Sequence, residues 1–228
     1  MRLVEEAVAA GVEIEAAVVS HALEGTDRGG RLKAALLSAG VPVTEVPERD
    51  MVALAATEQP QGVIAVVRPA TRDLPDIPLD ERPVVVILDA VQDPGNVGTI
   101  IRTALAFGAA GVIALPGTAE WTNPKTLRAT MGAAFRLPVV AAAEEEVSAW
   151  LSQRGATVVA TDLAGEPFDP AGWPRPVALV LGNEGAGARS ALAAAARHRV
   201  TIPVAPGVES LNVAVAAGIL LHGVAGER

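Results

Sequence analysis

Cysteine is absent from the 228-residue chain and histidine occurs only three times. The first absence excludes disulfide scaffolds, cysteine-ligated zinc, cysteine nucleophiles and iron–sulfur clusters, and it accords with a reducing cytoplasm. The second argues against a multi-histidine centre, so no metal is expected. No run reaches the roughly 18 apolar residues of a membrane span. Glu5, Glu6, Glu13 and Glu15 stand where a secretory leader would need an unbroken apolar segment. A soluble cytoplasmic protein with no membrane partner is the expectation. Positive charge is also scarce: 18 basic against 26 acidic residues leave a net charge of −8. That excludes a nucleic-acid coat driven by bulk charge, though not a local basic site. Of the basic residues 16 are Arg, the better side chain for forked contacts to phosphate, although genomic base composition produces the same bias.

What is plentiful is apolar: half the residues are hydrophobic and 19% charged, which rules out disorder for the chain as a whole. The segment RPATRDLPDIPLDERP, at 68–83, breaks the hydrophobic periodicity with four prolines and reads as an interdomain linker. Before it, VEEAVAAG, AAVVS, RLKAALLSAG, VPVTEV, DMVALAA and GVIAVV alternate helical and strand patterns, a small α/β module. Leu32, Ala35, Leu36 and Ala39 follow the spacing of one buried helical face, with Arg31 and Lys33 toward solvent. After it, PVVVILDA, GVIALP, ATVVATD and ALVLG are the continuously apolar strands of a parallel sheet buried on both faces. NVGTIIRTALAFG places Val97, Ile100, Ile101, Ala104 and Leu105 on one stripe, with Arg102 off it. EEEVSAWLSQRG is a second helix, and the alanine run at 191–196 a third. The alternation predicts an open α/β sheet.

Such a sheet binds ligands at the carboxyl ends of its strands. Three loops there are unusual: LDAVQDPGNVGTIIR, LVLGNEGAGAR and IPVAPGVESLNVAVAAG. Neither GxGxxG nor GxxxxGK[ST] occurs, which disfavours a dinucleotide-binding dehydrogenase, the common methyltransferase sheet and, more strongly, a P-loop enzyme. In the first loop, Asp93 to Asn96 form a turn opening a helix whose free N–H groups suit an anion; the bland reading is capping by Asn96. In the second, Glu184 leaves a buried strand and needs a partner for a ligand amine or Arg to supply, unless it turns to water in a Gly-rich turn. In the third, Ser210 is placed to cap the following helix. Asn212, an amide in the first turn of a nearly all-apolar helix, either faces a site or wastes hydrogen-bonding capacity.

Taken in order, the three segments resemble the SpoU-type (TrmH-like) RNA 2′-O-ribose methyltransferases of the SPOUT superfamily. NVGTIIR carries Asn96 and Arg102, LVLGNEG carries Glu184, and IPVAPGVESLNVAVA carries Ser210 and Asn212. The resemblance covers about residues 83–224 and implies a knotted methyltransferase domain at 83–228, a linker at 71–82 and a first domain at 1–70. It implies a deep trefoil knot, a rare feature that composition does not foretell. It also implies S-adenosylmethionine held largely by backbone at Gly182, Ile202 and Leu211, and a homodimer with its catalytic centre near the subunit interface. Arg102, Asn96, Glu184, Ser210 and Asn212 form the implied catalytic set. The family assigns removal of the 2′-hydroxyl proton to the first-motif arginine, here Arg102. Because guanidinium stays protonated, the preferred reading is that Arg102 stabilises the developing alkoxide and a neighbouring phosphate. Glu184, water and a transiently neutral guanidine stay open as proton acceptors.

Residues 1–70 resemble the family's ribosomal-protein-like α/β substrate-binding domain, with EQPQGVIAVV as its ending. Family members carry a further helix and strand ahead of the equivalent of RLVEEA, so a shortened amino terminus with an exposed sheet edge is expected. The implied substrate is structured RNA, ribosomal RNA ahead of transfer RNA. A tRNA 2′-O-methyltransferase, a base-methylating SPOUT enzyme and a catalytically idle RNA-binding member are the alternatives.

Overall fold

The run VVVIL at positions 84–88 has no polar face. In the computed structural model, which describes residues 1–55, 59–81, 83–171, 173–183, 187–188 and 190–225, it is covered on both sides. Val84, Val86 and Leu88 join one apolar cluster, Val85 and Ile87 another, as the alternation of a strand requires. The chain divides into two units, Met1–Ala70 and Thr71–Arg228.

The first unit runs α1 (Arg2–Ala9), β1 (Glu13–Ser20), α2 (His21–Glu24), α3 (Asp27–Ser38), β2 (Val43–Val46), α4 (Glu48–Leu54) and β3 (Val63–Arg68). Its three-stranded sheet has the order β2-β1-β3, with β2 parallel and β3 antiparallel to β1. Thr26 caps α3 by accepting the Gly29 N–H. Leu32 and Leu36 are buried as expected, but Ala39 is exposed, because α3 ends at Ser38 and Ala39 is already its C-cap. Lys33 is drawn from solvent into an ion pair with Glu45.

The second unit comprises β4 (Val84–Asp89), α5 (Pro94–Ala106), β5 (Gly111–Ala114), α6 (Pro124–Thr130), β6 (Val139–Ala141), α7 (Glu144–Gln153), β7 (Thr157–Pro167), β8 (Val177–Gly182), α8 (Ala191–Ala194), β9 (His198–Thr201) and α9 (Val213–Ala225). The six strands are all parallel, in the order β6-β5-β4-β8-β7-β9. One core cluster unites the sheet with Val97, Ile100, Ile101 and Ala104 of α5 and the apolar side of α9. The other unites it with Val147, Trp150 and Leu151 of α7 and with α8. Each fully buried Val, Ile or Leu contributes roughly 1.5–3 kcal/mol relative to exposure. Gly98 lets α5 meet α6 closely: a Cβ there would lie 2.5 Å from both Ala129 Cβ and the Thr126 carbonyl.

Three local expectations change. The proline-rich stretch read as a linker at 71–82 buries Ile77 and Leu79 against Val85 and Ile87 in the second unit's core, because an apolar pair two residues apart outweighs the flanking prolines. The alanine run is helical only over Ala191–Ala194, since the Arg197 N–H already bonds the Val158 carbonyl on the way into β9. The helix expected from Asn96 begins two residues earlier, with Asp93 as cap and Pro94 in its first turn. Among the described residues no helix is long and apolar enough to cross a membrane.

Candidate active site

The three polar segments leave the carboxyl ends of β4, β8 and β9, so parallel topology gathers them at one edge of the sheet. A cavity of about 690 Å³ opens there, lined by Gly182 and Asn183 after β8 and by Ile202, Ser210 and Leu211 after β9. Thr161 and Asp162 of β7 add a further wall. That wall exists because β7 bulges between Thr161 and Glu166, where its register against β9 shifts. Asp162 stabilises the bulge by accepting the Ala164 N–H at 2.9 Å and pairing with Arg199 at 2.6 Å. These contacts, the backbone one first, hold its carboxyl below the usual range.

Gly182 shapes the cavity by lacking a side chain. A Cβ at this position would come within 2.0 Å of the Ala188 nitrogen and 2.2 Å of the Gly187 carbonyl carbon. The chain after β8 therefore folds directly over the strand end. Its turn is closed by reciprocal backbone hydrogen bonds between Asn183 and Gly187, with Gly187 at φ +69°.

The first and third segments meet through side chains: the Asn212 Nδ2 donates to Asn96 Oδ1 at 3.1 Å, across 116 positions of sequence. Asn96 is not the cap of α5. Asp93 is, its Oδ1 accepting the Asn96 N–H at 2.8 Å, and this bond, with Lys125 adding to it, holds the Asp93 carboxyl below its usual range. Freed from capping, the Asn96 side chain turns to Asn212. Ser210, expected as the cap of α9, also gives way. Asn212 Oδ1 accepts the Ala214 and Val215 N–H groups at 2.9 and 3.3 Å, because α9 begins at Val213. Ser210 is exposed on the cavity rim instead. Asn212 thus spends its carbonyl on the helix and an amide N–H on Asn96.

Arg102 lies about two turns along α5, off the buried stripe and exposed. It makes no hydrogen bond or ion pair with another described residue and is not among the residues lining the cavity. Glu184 lies outside the described residues. The structure therefore joins Asn96 to Asn212 and surrounds one cavity with Gly182, Ile202, Ser210 and Leu211. Sequence reasoning passed over Asn183, Asp162 and Asp89. The last had a legible signal, an acid closing an apolar strand. Among the described residues no cluster of His, Cys, Asp or Glu is arranged for a metal ion.

Replacing Asn212 separates its two roles. Asn212→Ala is expected to lower stability by about 1 kcal/mol through the lost cap. Asn212→Ser, which can still cap, is expected to recover most of that in thermal unfolding while leaving Asn96 without this amide. Equal unfolding temperatures for native protein and Asn212→Ala would refute the capping assignment.

Fold and cavity define, in the second unit, an open parallel α/β sheet with a cavity at the strand carboxyl ends. The SpoU rRNA methylase family matches residues 83–222, and an RNA 2′-O ribose methyltransferase substrate-binding family matches residues 1–72. The chain belongs to the SpoU rRNA methylase family. It is 38% identical over 191 residues to the 23S rRNA (guanosine(2553)-2′-O)-methyltransferase RlmP of Bacillus subtilis, covering 83% of this chain and 75% of that protein. It superposes with a TM-score of 0.85 on an AdoMet-bound rRNA methyltransferase from Sinorhizobium meliloti, at 35% identity over 100% of this chain and 85% of that one. The AdoMet complex of the SpoU methyltransferase AviRb from Streptomyces viridochromogenes gives a TM-score of 0.86 at 30% identity, covering 100% and 88%.

Proposed function

We propose that this chain transfers a methyl group from S-adenosylmethionine to a ribose 2′-hydroxyl of structured RNA, with ribosomal RNA as the substrate class. The observation that carries the reading is the Asn212–Asn96 hydrogen bond, which ties the first motif to the third beside the cavity. The names of the relatives support the same reaction and the same RNA.

The cavity suits the donor. Its volume falls within the roughly 300–1,000 Å³ of small-molecule sites, it mixes strand-end backbone with apolar side chains, and Gly182 leaves the backbone open to close approach. Gly182, Ile202 and Leu211 are the residues that would hold S-adenosylmethionine. When bound, it supplies an electrophilic methyl group on a sulfonium. The protein's part is to position the sugar and manage charge as the hydroxyl loses its proton. Asn96 and Asn212, braced against one another, orient the ribose. Arg102, exposed and without a partner among the described residues, stabilises the developing negative charge on the 2′-oxygen and a neighbouring phosphate. Ser210 and Glu184 complete the set, Ser210 bracing the substrate from the rim.

The finer architecture follows the same reading. Leu211, in the segment after β9, and Gly182, at the end of β8, line one cavity, and α9 packs on α5, which supports a trefoil knot. The match of residues 1–72 to a substrate-binding family supports Met1–Ala70 as the RNA-binding unit. Val215 and Ile219, exposed one turn apart on α9, support a homodimer that covers them. Action on RNA and the lack of cysteine suit the cytoplasm.

The test is labelling of ribosomal RNA with tritiated S-adenosylmethionine, followed by complete nuclease digestion. A 2′-O-methyl nucleotide is expected, and DNA of the same sequence should stay unlabelled because it lacks the acceptor hydroxyl. A methylated base, or no label with any RNA, would overturn the proposal.

A further inference from the structure

Asp89 is the last residue of β4, with 7% of its surface exposed. It pairs in register with Gly182, the last residue of β8. A carboxylate this buried is costly unless its oxygens are satisfied. Its Oδ2 accepts the Ser190 N–H at 2.8 Å, and Ser190 is the cap of α8, at the far end of the loop that begins with Asn183. The near end is tied to the same place: the Asn183 Nδ2 donates to the Ala90 carbonyl at 3.1 Å. Ala90 is held at φ +56°, a left-handed conformation that costs a non-glycine residue about 1–2 kcal/mol. Strain at this one residue aims its carbonyl across at β8. The β8–α8 loop is thus fastened at both ends to the end of β4, and between the fastenings it supplies Gly187 and Ala188 to the cavity wall.

Neither Asp89 nor Ser190 lines the cavity. We infer that Asp89 is a positioning residue for the methyl donor: by holding Ser190, with Asn183 on Ala90 as the second fastening, it keeps Gly187 and Ala188 in place in the cavity wall. The inference rests on the cavity being the S-adenosylmethionine site. It assigns a role to a residue outside the three motifs, and that role reaches the donor only through the loop.

Three proteins test it: native, Asp89→Ala and Asp89→Asn. The last keeps an oxygen that can accept the Ser190 N–H. Calorimetric titration with S-adenosylmethionine should show affinity lowered about ten- to a hundredfold in Asp89→Ala, the effect of losing a buried charge-assisted bond. Asp89→Asn should fall between Ala and native. KM for the donor should rise in step, while kcat at saturating donor and RNA affinity change little. Amide exchange adds a readout free of ligand. The Gly187 N–H bonds Asn183 and not Asp89, yet it should exchange faster in both variants if the loop has loosened. Donor affinity within twofold of native, or faster exchange confined to Ser190, would overturn the inference and leave the methyltransferase reading standing. Native protein that fails to bind S-adenosylmethionine would remove both. If Asp89→Ala does not fold, the same comparisons on Asp89→Asn decide the matter.

Discussion

Arg102→Ala is expected to reduce kcat roughly 10²–10³-fold, the scale of removing a group that stabilises charge developing in the transition state. S-adenosylmethionine affinity should be nearly untouched. The separation is expected because Arg102 is exposed on α5, is absent from the cavity lining and engages no other described residue. Its removal therefore leaves the donor's pocket as it was, and an exposed substitution of this kind changes stability by about 0.5 kcal/mol or less. Arg102→Lys should fail almost as badly. An ammonium keeps the charge but loses the planar fork that can address the 2′-oxygen and a phosphate together. Single-turnover rates with calorimetry on the same preparations make the check, and equal losses of turnover and donor binding would contradict the role given to Arg102.

Gly182→Ala should abolish donor binding by a different route. The added Cβ would sit 2.0 Å from a backbone nitrogen and 2.2 Å from a backbone carbon, neither of which can rotate away as a side-chain tip would. The β8–α8 loop must shift by more than an ångström, and that loop carries Gly187 and Ala188 into the cavity wall. Affinity for S-adenosylmethionine is expected to fall by about two orders of magnitude or more. Stability should fall by about 1–3 kcal/mol, the range for overpacking. Gly187→Ala is the contrast: nothing lies within 4 Å of its Cβ position and only its φ of +69° opposes substitution, so it should lose about 1–2 kcal/mol of stability and no more. Native-like donor affinity in Gly182→Ala would show that the loop does not need its present closure.

Arg102 and Gly182 also differ in how each was legible. Arg102 stands off an apolar stripe of period 3.6, so its exposure could be read directly. Gly182 follows a buried strand, but nothing in GNEGAGAR states that residue 188 returns to within contact of residue 182. The caps were misread for a related reason. Asn96 and Ser210 are both good capping types near a helix start, and so are Asp93 and Asn212. Composition cannot rank two acceptable caps three or two residues apart. What ranks them is where the helix is forced to begin, which Pro94 decides for α5. Asp89 was legible by the argument applied to Glu184, an acid at a buried strand's exit, and was hidden only because it follows five aliphatic residues that look complete as a strand.

Sequence alone determined the class of fold, because VVVIL, ALVLG and their like have no polar face and such strands are stable only in a sheet covered on both sides. It also determined which three loops carry polar residues, since the order of elements puts them all at strand carboxyl ends. Only tertiary structure decided that Asn96 faces Asn212, that Asp89 holds Ser190, and that Ile77 and Leu79 leave a proline-rich stretch to join the core. Periodicity is a property of neighbours along the chain. The hydrogen bonds among these contacts join residues 101 and 116 positions apart, and their partners are set by strand order and register, which no local spacing encodes.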